Sequence, residues 1–229
     1  MPRSVPTTTL VVVIGAVIVV LLAVAVSMGL TDPIDRTVIE VVRSDALTGV
    51  LSPLRWVTEL GSWAAITVVA VGTLLVGLAI GPWFHGVAGA VTIGLVAIGN
   101  EAFKAFIART RPDFIEPVLV ERGFSFPSGH ALLSTVAYGI LGVLISRSML
   151  PRGVRTGALV VLAVGIFLIG LSRVWLGVHF PSDVLAGWSA GAVIVVLFAR
   201  ITRSVSPEPI AAVVASDPAV PRSGPPGRD

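Results

Sequence analysis

Six stretches of this chain are too apolar to lie on the outside of a water-soluble protein. They run approximately from Leu10 to Leu30, Ala64 to Ile80, Phe84 to Phe106, Ala131 to Ile145, Gly157 to Leu171 and Val184 to Ala199. A helix needs about 20 apolar residues to cross the hydrocarbon of a bilayer, and a spanning helix satisfies its own backbone hydrogen bonds. The fourth and fifth stretches are shorter but extend through polar flanks, Ser128 offering an N-cap to one and Arg173 closing the other. The expected fold is therefore all-α, a polytopic membrane helix bundle with six transmembrane helices. Composition agrees, since only 13% of residues are charged, against about 25% in soluble domains.

The first stretch also has features of a secretory signal, with Arg3 ahead of it and Ala23-Val24-Ala25 resembling a cleavage site. The run continues through Val26, Met28 and Leu30, longer than a signal core, and is read as a retained first span. Between spans one and two, Thr31 to Ser62 mixes charges with Val38, Val41, Val42, Leu51 and Leu54 at helical spacing. That pattern predicts short interfacial helices, and Trp56 and Trp63 suit the same level of the membrane. After Arg203 the chain turns to Pro, Ala, Ser and Gly. The expected organisation is one transmembrane domain over residues 1–203 and a disordered cytoplasmic tail over 204–229.

The absence of cysteine removes disulfides and thiolate metal ligands. No metal or other cofactor is expected. The isoelectric point near 10.5 comes from a net charge of only +3, without a basic run or interleaved aromatics, so nucleic acid is not an expected partner.

Against this apolar background three polar segments stand out: Lys104 with Arg111-Pro112, Pro127-Ser128-Gly129-His130, and Ser172-Arg173 with His179 and Asp183. Charge near a bilayer is costly enough that such groups mark a site. They fall between spans three and four and between spans five and six. Two connections separated by two crossings lie on one side, so a single composite site is possible. The opposite side carries Arg3, Arg147, Arg152, Arg155, Arg200 and Arg203. The excess of arginine over acid predicts a multi-pass plasma-membrane protein with both termini cytoplasmic and the site facing outward.

Each segment has a chemical reading. Lys104 and Arg111 are seven residues apart, on one face if the third helix ran that far, and Pro112 disfavours helix in the residue before it. The arginine offers a planar fork to two phosphate oxygens and the lysine a mobile point charge; without a ligand, the same pair would be snorkelling cations with Glu101 beside Lys104. Ser128 can cap the fourth helix, whose free first-turn N–H groups attract phosphate, and Gly129 permits close approach. Arg173 supplies another fork. Asp183 follows His179 by one turn; if that spacing is helical, its carboxylate can hold one ring nitrogen and leave the other as a nucleophile. If Pro181 instead begins the sixth helix, the partner of His179 is open to a backbone carbonyl. Together, the fixed cations, the helix amino end, His130 and His179 are the parts of an in-line phosphoryl displacement. A histidine nucleophile needs no metal where fixed cations stabilise the charge. The residues alone leave open which histidine attacks.

These three segments resemble the signature of the type 2 phosphatidic acid phosphatases, the membrane branch of a superfamily shared with vanadium-dependent haloperoxidases. The resemblance covers about Asn100 to Asp183 by motif and most of the chain by span layout. It implies that His179 forms a phosphohistidine, that Asp183 orients it, and that His130 protonates the leaving group and then activates water. Lys104, Arg111, Ser128, Gly129 and Arg173 would hold the phosphoryl oxygens. It also implies metal-independent hydrolysis of a membrane lipid phosphate or diphosphate, such as undecaprenyl diphosphate, phosphatidylglycerophosphate or phosphatidic acid. Two rivals keep the same residues: phosphoryl transfer to an acceptor other than water, and non-catalytic binding of anionic lipid head groups. Binding alone has no use for two histidines.

Overall fold

A computed structural model describes residues 7–43, 51–80 and 83–204; the tail expected over 204–229 lies outside the described residues apart from its first. Eight helices are present among them: α1 (Thr7–Ser27), α2 (Asp32–Val42), α3 (Leu51–Glu59), α4 (Trp63–Ile80), α5 (Trp83–Ile107), α6 (Gly129–Arg147), α7 (Arg152–Trp175) and α8 (Pro181–Ser204). Five of these, α1, α5, α6, α7 and α8, are long and apolar enough to cross a membrane. A sixth is reached when α3 and α4, which meet at a bend of 45°, are taken together as one broken span. The interfacial helices expected between spans one and two are α2 and α3.

Burial follows from the apolar faces. Ile66, Ile93, Leu133, Val136, Ala137, Ile140 and Phe198 form a core shared by α4, α5, α6 and α8. Large side chains such as Leu95, Ile98, Phe106 and Val161 point outward, which is stable in hydrocarbon and costly in water. This is a multi-pass membrane protein.

Where lipid tails are as apolar as the side chains, helices associate by close backbone packing through small residues. A Cβ added at Gly191 of α8 would lie 2.5 Å from the Thr135 Cβ of α6, and one at Gly187 would lie 2.8 Å from the Ser128 carbonyl oxygen. On the other flank of the core a Cβ at Gly77 of α4 would lie 2.4 Å from the Gly86 Cα of α5.

The bundle has two distinct ends. At one, His85 Nε2 lies 2.9 Å from the Thr202 carbonyl oxygen, Arg147 donates to the Ala199 carbonyl at 2.7 Å, and Arg200 donates to the Thr9 hydroxyl at 3.3 Å. The starts of α1 and α5 and the ends of α6 and α8 therefore meet there. The connections α5–α6 and α7–α8 and the helix α2 gather at the other.

Candidate active site

Helix α5 ends at Ile107, four residues short of Arg111, and Ala108 takes a left-handed conformation at φ 53°. Arg111 thus reaches the site from coil, not from the helix face it would have shared with Lys104. The coil is stapled from several sides: Arg43 donates to the Glu116 carbonyl at 2.8 Å, Arg55 to the Val118 carbonyl at 3.3 Å, and the Val118 N–H to the Leu176 carbonyl at 3.0 Å.

The three polar segments converge. Lys104, Arg111, Gly129, His130 and His179 line one cavity of about 530 Å³, with Asn100, Glu121 and Trp63 among its other walls. Lys104 sits 3.6 Å from Glu101. A Cβ added at Gly129 would stand 3.2 Å from Asn100 Nδ2 and 3.7 Å from Lys104 Nζ, so the glycine leaves the space beside these two side chains open. Gly61 makes similar room for the His130 ring, 2.8 Å from where a Cβ would stand.

Ser128 occupies the N-cap position of α6 but makes no side-chain capping bond. Its backbone does the fixing, accepting from the Leu132 N–H at 3.0 Å and donating to the Asp183 carbonyl at 3.0 Å. The hydroxyl is fully buried and has no partner among the described residues. An unpaired buried hydroxyl costs about 1–3 kcal/mol, a cost that an anion's oxygen would relieve.

His179 shows its tautomer by geometry. Pro181 begins α8, yet Asp183 still reaches back: its Oδ2 lies 3.3 Å from His179 Nδ1 and accepts the Phe180 N–H at 3.0 Å. The other ring nitrogen, Nε2, lies 3.2 Å from Arg111 Nη1. A guanidinium can only donate, so Nε2 accepts and the ring proton belongs on Nδ1, facing the carboxylate. Burial and the cations Arg111, Arg173 and Lys104 hold the imidazole well below its ordinary value of 6.5. The ring is therefore neutral at physiological pH, with Nε2 unprotonated and directed at the cation cluster. Burial likewise lowers the Arg111 guanidinium, against the raising influence of Asp183 and Glu101.

Arg173 is 1% exposed and is not among the residues that line the cavity. Its Nη1 donates to the Thr58 hydroxyl at 2.5 Å and its Nη2 pairs with Glu121. Glu121 also pairs with Arg111 at 3.1 Å. A carboxylate thus bridges two of the cations expected to bind phosphate, an arrangement suited to an oxyanion held by two arginine forks.

Sequence reasoning missed Glu121, Thr58, Arg109 and Asp35. Arg109 pairs with Asp183 at 2.7 Å and with Asp35 at 2.8 Å. Its signal was a second arginine in Ala108-Arg109-Thr110-Arg111. Asp35 is 2% exposed on an amphipathic helix, and nothing local marks it apart from the other acids of α2. Glu121 and Thr58 reach the site through tertiary packing alone.

Comparison with known proteins supplies the family. The chain is 40% identical over 94 residues to phosphatidylglycerophosphatase B of Bacillus subtilis, covering 40% of this chain and 45% of that protein. It is 31% identical over 121 residues to the undecaprenyl-diphosphatase of Sulfolobus acidocaldarius, covering 51% and 54%. With the decaprenylphosphoryl-5-phosphoribose phosphatase of Mycobacterium tuberculosis it shares 32% over 115 residues, covering 49% and 56%. The matches span about half the length of these curated relatives. In fold it resembles the crystal structure of a transmembrane PAP2-type phosphatidylglycerolphosphate phosphatase from Bacillus subtilis, with a TM-score of 0.75 and 24% identity over 85% of this chain and 97% of that one. The profile of the PAP2 superfamily matches residues 85–206, more than half of the chain and all three polar segments. The bundle, the cavity and the paired histidines are accordingly those of a member of the PAP2 superfamily, to which this chain belongs.

Proposed function

We propose that this protein is a membrane phosphatase that hydrolyses a phosphomonoester or diphosphate of a membrane lipid through a phosphohistidine on His179, without a metal ion. The observation that carries the reading is the state of His179, neutral, held at Nδ1 by Asp183 and presenting Nε2 to a cavity lined by Lys104, Arg111 and His130. The relatives support the lipid phosphate, since their names describe enzymes acting on phosphatidylglycerophosphate, undecaprenyl diphosphate and a decaprenylphosphoryl sugar phosphate.

The Nε2 lone pair attacks phosphorus while the bond from phosphorus to the leaving oxygen breaks, and His130 gives that oxygen a proton. Asp183 stabilises the positive charge that develops on the His179 ring. Lys104, Arg111, Arg173, the Ser128 hydroxyl and the amino end of α6 hold the non-bridging oxygens, where preorganised donors contribute most. Water then attacks the phosphohistidine, His130 takes its proton, and inorganic phosphate leaves with Nε2 restored. Three fixed cations supply the charge neutralisation for which other phosphoryl-transfer sites use magnesium. The cavity faces outward and the arginine-rich end of the bundle faces the cytoplasm, in keeping with the positive-inside rule.

Purified protein assayed with chelator against a panel of lipid phosphates and diphosphates tests the reading by phosphate release, with and without an added alcohol acceptor. Turnover is expected from the native protein, and His179→Ala abolishes it while leaving orthovanadate binding in part. Native-like turnover by His179→Ala refutes the nucleophile; a phosphorylated acceptor in place of free phosphate makes the protein a transferase.

A further inference from the structure

Asp183 has two carboxylate oxygens, and only Oδ2 faces His179. The other, Oδ1, accepts from Arg109 Nη1 at 2.7 Å. The same guanidinium donates from Nη1 to the Ser182 hydroxyl at 2.7 Å and from Nη2 to Asp35 Oδ2 at 2.8 Å, Asp32 Oδ1 at 3.0 Å and the Thr31 hydroxyl at 3.1 Å. Its Cζ lies over the Phe180 ring, 4.0 Å from the centroid. Asp35 is bonded to α8 on its own account, accepting the Ser182 N–H at 3.0 Å and the Ser182 hydroxyl at 2.6 Å.

We propose that Arg109 and Asp35 are positioning residues for the reaction: a buried chain of charges running from α2 through the α5–α6 coil to α8 keeps the Asp183 carboxylate turned to His179 Nδ1 and so keeps Nε2 directed at phosphorus. The inference rests on His179 being the nucleophile. Neither residue touches the cavity that holds Lys104, His130 and His179, so both act through Asp183.

The joint between α2 and α8 is already closed by Asp35 and Ser182, without any guanidinium. Arg109 adds what that joint does not need, a rigid fork on the far oxygen of Asp183. A lone carboxylate hydrogen-bonded at one oxygen can rotate about its terminal torsion; with Oδ1 on Arg109 and Oδ2 on the Phe180 N–H, that rotation is blocked. The charges also alternate. His179 faces the cations Arg111, Arg173 and Lys104 and the ring of His130, with Glu121 across two of these arginines; behind it come Asp183, then Arg109, then Asp35 and Asp32. Burial would lower the Arg109 guanidinium, and the Asp183 and Asp35 carboxylates outweigh it and raise it. Arg109 therefore stays charged at any pH of activity.

An alternating chain makes a prediction that a simple fastener does not. Removing an anion behind Asp183 makes His179 harder to protonate, and removing the cation makes it easier. The full-length protein in detergent is assayed on a short-chain lipid phosphate across pH as the native form, His179→Ala, Asp35→Asn, Arg109→Gln and Arg109→Lys, with orthovanadate binding measured in parallel. Arg109→Gln should lower kcat by about 100-fold, the scale of a misdirected acid–base group, with KM and vanadate affinity nearly unchanged. Arg109→Lys should recover part of that loss. The acid limb of kcat/KM should move to lower pH in Asp35→Asn and to higher pH in Arg109→Gln. Unchanged kcat, a loss carried by KM, or limbs that stay put or move together would overturn the proposal. If Arg109→Gln does not fold, Asp35→Asn and Arg109→Lys decide it by the same limb and the same kcat–KM split. Native protein without turnover overturns the phosphatase reading and this one with it, whereas native turnover lost in His179→Ala beside unaltered Asp35 and Arg109 variants overturns this one alone.

Discussion

At the scale of single residues the site is defined by how its charges are paired before any substrate arrives. Glu121 bridges Arg111 and Arg173, so on the proposed reading phosphate would enter by exchanging with a carboxylate. Substituting the neutral amide should remove the competitor while keeping the shape. Glu121→Gln is expected to bind inorganic phosphate and orthovanadate about tenfold more tightly, the worth of roughly 1.4 kcal/mol, measured as product inhibition. His179 carries a pH dependence of stability as well as of rate. Its folded value lies well below 6.5, so the unfolded chain binds its proton first as the solution is acidified. Its contribution is intact above the unfolded value near 6.5 and is lost progressively as pH falls below it. The expected outcome is a falling Tm between pH 7.5 and pH 5 in detergent, and a shallower fall in His179→Gln, read by thermal unfolding.

At the scale of elements, position depends on backbone contact more than on side-chain volume. The α6–α8 seam closes on Gly187 and Gly191 and sets the spacing between His130 on one helix and Asp183 on the other. Gly191→Val overpacks that seam, which costs about 1–3 kcal/mol; a Tm lower by several degrees, with kcat reduced more than KM is raised, is the expected result of thermal unfolding and steady-state assays. The helices were legible in the sequence because hydrocarbon demands long apolar runs, and the residues of the three motifs were legible because charge there is rare. Local wording failed in other places. Lys104 and Arg111 look like one helix face until Ala108 turns left-handed, and Ser128 looks like a side-chain cap although its hydroxyl has no partner among the described residues. Arg109, Asp35, Thr58 and Glu121 act through contacts 52 to 147 residues apart in the chain, a distance no local pattern encodes.

At the scale of the whole molecule the two ends of the bundle differ in chemistry, and the proposed membrane orientation follows from that difference. Met149, between α6 and α7, and Val120, in the α5–α6 coil, are both highly exposed at opposite ends. The chain has no cysteine, so one thiol can be introduced at either place without background. In intact cells a membrane-impermeant maleimide should label Val120→Cys directly and Met149→Cys only after permeabilisation. The reverse pattern would invert the assignment. The contact between Gly77 and Gly86 has a further consequence. It pins α4 to α5 at the arginine-rich end, while at the other end Trp63 of α4 and Lys104 of α5 both line the cavity. The two helices therefore meet backbone to backbone at one end and share a wall of the charged cavity at the other. On the proposed reading, a lipid would bring its head group to that wall while its hydrocarbon stays in the leaflet, and the substrate would never have to leave its membrane.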